Sequence, residues 1–208
     1  MKLFLASFAP NANETLGNAF LDMLPKPVKE NKLNILSMDT TSEFHVRYLG
    51  IVKEWYKSKG FKDENIKIYN LIKDNIPSFR DLDVLHMWGG KTYHYLKRVK
   101  EPKLMQEIRD FIEHDGVYVG TSAGSHLMCP DLDPNLCGDV NDINLVDLEA
   151  FGYFMNYLVV HWDSMNSHLR TKQIQYMWKS GKHAIPLTDH QAVQVINKEW
   201  KIISPDTI

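Results

Sequence analysis

A serine nucleophile needs an exposed hydroxyl, a base to take its proton and donors for the oxyanion that forms. The pentapeptide Gly120-Thr121-Ser122-Ala123-Gly124 offers the first of these. It reads Gly-x-Ser-x-Gly, follows the apolar run Gly116-Val117-Tyr118-Val119 and precedes the helix-compatible stretch Ser125-His126-Leu127-Met128-Cys129. That is the strand–turn–helix setting of a nucleophile elbow. Small flanking residues admit the sharp turn, and the serine then stands at a helix N-terminus whose amides favour negative charge.

A base for Ser122 is sought among nine histidines. His161 ends the apolar run Tyr157–Val160, at the strand end where a parallel sheet gathers its ligands. Ser122 ends its own strand in the same sense, so both belong to one rim. His126, four residues after Ser122 on the same helix face, is the rival base; His86 lies within a strand and reads as structural. The base needs an orienting carboxylate. Asp142 lies between serine and histidine and gives the order Ser…Asp…His, while Asp139 and Asp147 compete from the same loop. Position along the chain does not choose among them. One oxyanion donor is the backbone N–H of Ala123. Gly90, in the turn Trp88-Gly89-Gly90-Lys91-Thr92, is the candidate for the second. That turn fits neither a dinucleotide fingerprint nor a Walker loop. His161, Asp163 and His168 match no known ligand spacing, so neither metal nor cofactor is expected.

These residues must be held by a frame, and the chain supplies one by alternation. Leu3–Phe8, Leu33–Met38, Ile66–Tyr69, Val84–Trp88, Gly116–Val119 and Tyr157–Val160 read as strands. Helical stripes lie between them: Glu14–Leu24; Phe44, Tyr48, Ile51, Val52 and Trp55, with Ser42 as N-cap and Gly60 as stop; Leu104, Ile108, Phe111 and Ile112; and Asn166–Lys179. The aromatic stripe is read as core. Ala192–Ile196 and Trp200–Ile203 form a hairpin around Asn197-Lys198-Glu199, and the aspartate-rich stretch Pro130–Glu149 reads as a long loop. The expected class is α/β: a three-layer αβα sandwich around a mostly parallel sheet, in one domain over residues 1–208.

Composition limits the partners. Of 208 residues 44% are hydrophobic and 24% charged, with a net charge of −2. Neither nucleic acid nor an anionic membrane surface exerts a strong pull on such a chain. No stretch is long enough to span a bilayer, and Met1–Ala9 reads as a buried strand rather than a targeting segment. Cys129 and Cys137 suggest no disulfide framework, so a reducing cytoplasm is the expected compartment. A monomer or a homodimer is expected.

Together these segments resemble the dipeptidase E (α-aspartyl dipeptidase) family of serine peptidases. The elbow is similar to that family's Gly-x-Ser-Ala-Gly and continues through Leu127-Met128-Cys129-Pro130; Gly89-Gly90-Lys91-Thr92 resembles its Gly-Gly-Asn-Thr turn; Asn141-Asp142, followed by Val146-Asp147, resembles its Asn-Asp segment. The resemblance implies a fold like class I glutamine amidotransferases with serine in place of cysteine. It implies Ser122 as nucleophile, His161 as base, Asp142 as orienter, and Gly90 and Ala123 as oxyanion donors. It also implies metal-free cleavage of dipeptides with an N-terminal aspartate, read by an arginine matching Arg170. Trp88 and Lys91 depart from the family pattern beside the oxyanion loop. An amidase or esterase with the same machinery, or a silent binding protein, are therefore the alternatives.

Overall fold

Short aliphatic runs form the strands and amphipathic stretches the helices. A computed structural model of the chain describes residues 1–205. The elements run β1 (Lys2–Ala6), α1 (Glu14–Leu21), β2 (Leu33–Ser37), α2 (Glu43–Ser58), β3 (Ile66–Asn70), β4 (Val84–Met87), α3 (Thr92–Val99), α4 (Pro102–Glu113), β5 (Val117–Thr121), α5 (Ala123–His126), β6 (Tyr157–Val159), α6 (Ser167–Ser180), β7 (Ala184–Pro186), β8 (Ala192–Ile196) and β9 (Glu199–Ile203). The main sheet has the order β3-β2-β4-β5-β1-β8-β9. Its first five strands are parallel; β8 and β9 join antiparallel. β6 and β7 pair in a separate small parallel sheet.

Every residue of β2, β4 and β5 is buried, as parallel strands covered on both faces require. Side chains alternate across the sheet. Leu3, Leu5, Leu85 and Tyr118 enter one core with α3 and α4, whereas Phe4, Ala6, Val84, Val117 and Val119 enter the other with α1 and α2. This is the three-layer α/β sandwich the alternation implied.

Helix starts follow local chemistry. Ser42 caps α2 by accepting from the His45 amide, Asn166 caps α6 from Leu169, and Pro102 opens α4. The α2 stripe differs from expectation: its buried face is Leu49, Val52 and Tyr56, while Phe44 is 60% and Ile51 45% exposed. Two apolar stripes run side by side on this helix, and the sheet takes the one without Phe44.

One polar chain crosses the second core. The Tyr56 hydroxyl meets His86 Nδ1 at 3.0 Å, and His86 Nε2 meets Thr121 Oγ1 at 2.8 Å. Tyr56 and His86 are fully buried. The chain ends on the residue before Ser122, where it holds the last side chain of β5.

Candidate active site

β5 ends at Thr121, and Ser122 turns the backbone at φ 51°, ψ −108°, a conformation L-residues avoid. The turn is held by the Ser122 amide donating to the Ala6 carbonyl at 3.1 Å and by the Ser125 amide donating to the Ser122 carbonyl at 2.8 Å. Flanking glycines make room. A Cβ on Gly120 would lie 2.7 Å from the Ser125 backbone, and one on Gly124 would lie 2.1 Å from the Met87 carbonyl oxygen.

His161 reaches this serine: its Nε2 lies 2.9 Å from Ser122 Oγ. Its Nδ1 lies 2.6 Å from Asp189 Oδ1. An ionised carboxylate only accepts, so Nδ1 carries the proton and Nε2 of the neutral ring is free to accept from the serine. Ser7, at the end of β1, ties the pair together. Its hydroxyl donates to Asp189 Oδ1 at 2.9 Å and accepts from the His161 amide at 2.7 Å. His161 itself has φ 57°. The Asp189 amide donates to Asp163 Oδ1 at 3.0 Å.

Asp142 stands elsewhere, which corrects its expected place behind His161. Lys91 Nζ donates to one of its oxygens at 2.6 Å and His94 Nε2 meets the other at 2.7 Å. Those partners, Lys91 first, hold its carboxyl below the ordinary range. Both oxygens are engaged, and no hydrogen bond joins Asp142 to His161. The rivals are occupied too. Asp139 accepts from the Thr92 amide at 2.9 Å and from the Thr92 hydroxyl at the start of α3, and Asp147 pairs with Lys100. The chain order on the histidine is thus Ser…His…Asp.

Gly89 and Gly90 lie against the elbow. A Cβ on Gly89 would stand 3.4 Å from the Ser122 Cβ, and Gly90 has φ 148°. The Tyr95 hydroxyl braces the loop by donating to the Gly89 carbonyl at 3.3 Å. Among the described residues neither the Gly90 nor the Ala123 amide donates to a protein group. The two departures near this loop have separate roles. Trp88 is buried, its ring edge-on to His86, while Lys91 clamps the acidic loop through Asp142. Arg170, on α6, lies over the Trp162 ring at 5.9 Å and forms no ion pair among the described residues. Trp162 follows His161 in the chain.

His126 is buried within α5; its amide donates to the Ser122 carbonyl at 3.2 Å, but its ring does not bond to Ser122, and Nε2 has no partner among the described residues. Burial lowers its pKa to about 4 and that of His86 to about 3. Both groups stay neutral in the folded chain while the unfolded histidine protonates near the ordinary 6.5. Stability is therefore full above about pH 6.5 and is lost as pH falls toward 4, by more than about 1 kcal/mol per pH unit for the two groups together. Urea unfolding between pH 7 and pH 4.5 checks this, and replacing His86 by Leu should flatten the slope.

Asp189 and Ser7 escaped the sequence reading. Asp189 sits in the polar turn Thr188–Gln191 just before β8. Because β8 runs antiparallel to β1, with Ala192 opposite Ala6, its beginning meets the end of β1 at the rim of Ser122. Only the strand direction reveals this. Among the described residues no group of three or more His, Cys, Asp or Glu converges as a metal site, and no helix is long and apolar enough to cross a membrane.

Comparison with known proteins agrees with this architecture. The sequence profile of Peptidase family S51 matches residues 3–203. Peptidase E of Salmonella paratyphi A (strain ATCC 9150 / SARB42) is 26% identical over 159 residues, covering 73% of this chain and 63% of the relative. Peptidase E of Escherichia coli O1:K1 / APEC is 29% identical over 80 residues, 38% of this chain and 33% of the relative. The matched part thus spans less than two thirds of these relatives' length. A candidate peptidase E of Listeria monocytogenes EGD-e superposes with a TM-score of 0.76 at 19% identity, covering 99% of this chain and 98% of the other. A peptidase from an acI-B1 Actinobacterium gives 0.71 at 16% identity, covering 98% and 87%. These two likenesses speak for the fold. The profile match, running nearly end to end through the elbow and His161, carries the assignment: the chain belongs to Peptidase family S51.

Proposed function

We propose that this chain is a serine peptidase acting on short peptides, with Ser122 as nucleophile, His161 as base and Asp189 as orienter. The observation that carries the reading is the unbroken line from Ser122 Oγ through both nitrogens of His161 to Asp189, at 2.9 and 2.6 Å. His161 Nε2 takes the hydroxyl proton as Ser122 Oγ bonds to the peptide carbonyl carbon. The Gly90 and Ala123 amides, which donate to no protein group among the described residues, are the donors this reading assigns to the oxygen that becomes negative. The imidazolium returns its proton to the leaving amine as the C–N bond breaks. Water, deprotonated by the same nitrogen, then cleaves the acyl ester and releases the serine. Asp189 keeps the ring in the tautomer that accepts at Nε2 and stabilises the imidazolium.

Arg170 favours an acidic substrate. Its guanidinium lies over the ring of Trp162, the residue after His161, and forms no ion pair among the described residues, so a bidentate carboxylate pair would suit it. Dipeptides with an N-terminal aspartate are the substrates this reading prefers. Free Cys129 and Cys137, both buried, are in keeping with a reducing compartment such as the cytoplasm.

A fluorophosphonate probe and a dipeptide panel test the reading. The wild-type chain should be labelled at Ser122 and cleave Asp-X dipeptides, whereas Ser122→Ala should do neither. A wild-type serine that stays unlabelled would remove the peptidase reading in favour of a silent binding protein. Labelling with cleavage of esters or simple amides alone would make the chain an esterase or amidase.

A further inference from the structure

A second histidine is oriented beside the glycine loop, on the side of α2. His45 Nδ1 lies 2.9 Å from Ser42 Oγ and 3.4 Å from Asp39 Oδ2. Asp39 is itself fixed: its other oxygen accepts from the Thr41 amide at 2.8 Å, the Thr41 hydroxyl at 3.0 Å and the Ser42 amide at 3.1 Å. The ring is thereby held by one nitrogen. The other, Nε2, bonds to no protein group among the described residues and stands 4.0 Å from the point a Gly90 Cβ would occupy. Gly89, on the other side of the same turn, abuts Ser122. The two-glycine loop therefore has the nucleophile at one glycine and His45 Nε2 at the next.

Beyond Asp39 and Ser42, aromatic rings flank His45, with Arg47 over the Tyr48 ring at 6.0 Å. Phe44 is 60% exposed, its ring 5.4 Å from that of His45 and 4.6 Å from that of Tyr48. Phe8, which follows the Ser7 that ties His161 to Asp189, packs on Tyr48 at 6.0 Å. An aromatic run from the base's support, partly buried at Phe8 and Tyr48 and exposed at Phe44, leads to a histidine whose second nitrogen has no protein partner among the described residues, the composition of a small-ligand wall: apolar surface with one placed polar group. A histidine serving only the start of α2 would need Nδ1 and nothing more.

We propose that His45 is a substrate-contacting residue, whose Nε2 engages a polar group of the bound peptide next to Gly90 while Phe44 and Tyr48 flank a neighbouring side chain. This rests on the peptidase reading above. The Asp39–Ser42 hold fixes the ring before substrate arrives, so the contact costs little ordering. The contact lies beyond the reacting atoms and sets how tightly the peptide is held.

Isosteric variants separate contact from support. An asparagine amide reaches the place of Nδ1, and a glutamine amide the place of Nε2. His45→Ala and His45→Asn should each raise KM for the best dipeptide at least fivefold, with His45→Gln recovering part of the loss. Fluorophosphonate labelling of Ser122, whose small probe lacks the peptide, should stay within twofold in all three. Wild-type KM in His45→Asn, unchanged KM in all three, or labelling that falls in parallel with turnover would each overturn the contact. A wild-type chain that cleaves no dipeptide overturns the peptidase reading and this inference with it. A chain that cleaves normally with indifferent His45 variants overturns this inference alone.

Discussion

Replacing Asp189 by Asn should lower kcat by roughly three to four orders of magnitude, whereas Asp142→Asn should leave it within about twofold. The difference lies in what each carboxylate touches. Asp189 Oδ1 lies 2.6 Å from His161 Nδ1 and also accepts from Ser7. An asparagine amide that donates to Nδ1 forces the ring proton onto Nε2, and the ring then has no lone pair for the Ser122 proton. The residual rate would come from the oxyanion donors and from binding. Asp142 pairs with Lys91 and His94 at a half-exposed site, where solvent screens ion pairs and their loss costs little. Steady-state rates and the fluorophosphonate labelling rate read both variants on one scale. Should Asp142→Asn prove the more damaging, the acidic loop would have to swing onto His161 during turnover, and Asp189 would lose its assigned role.

Gly124→Ala should destabilise the chain by about 3 kcal/mol or more, which lowers Tm by roughly 6–12 °C for a domain of this size. The added Cβ would stand 2.1 Å from the Met87 carbonyl oxygen, and both partners are backbone in the buried layer. Neither can turn aside as a side-chain tip would. α5 must lift from β4, and Ser122 moves with it, so labelling should fall as well. Gly50 is the control. It lies exposed in α2 with nothing within 4 Å of its added Cβ, and Gly50→Ala should stabilise by about 0.5–1 kcal/mol through helix propensity. Thermal unfolding of the two proteins gives the comparison. A Gly124→Ala protein melting within about 2 °C of wild type would mean that the elbow tolerates movement the packing argument forbids.

The elbow was legible because one local pattern, small residues around a serine between an apolar run and a helix start, has few other uses. His161 was legible for a similar reason, since an apolar run ending in a histidine puts that histidine on the sheet rim. The hairpin Ala192–Ile203 and the capped start of α2 were read from turn and cap chemistry that acts over a few residues. Asp189 was not legible, because its place depends on the direction of β8, and direction is set by which strand β8 joins. Asp142 looked suitable by order along the chain, but that order carries no information about Lys91 and His94 waiting opposite. The α2 stripe was displaced by one row because two apolar rows compete on that helix and only the sheet decides between them. β7 has three residues and ends in proline, too short for a periodic signal.

Ser7 joins residues that lie far apart along the chain. Its hydroxyl bonds Asp189, 182 positions away, and the His161 amide, 154 positions away. Links of such range are the last that a folding polymer can afford, since loop closure must come before they repay it. A chain still emerging from synthesis holds the elbow and the histidine long before residue 189 arrives to join residue 7. The line from Ser122 through His161 to Asp189 therefore stays incomplete until the edge hairpin docks, and an unfinished chain lacks the carboxylate that holds the histidine ring.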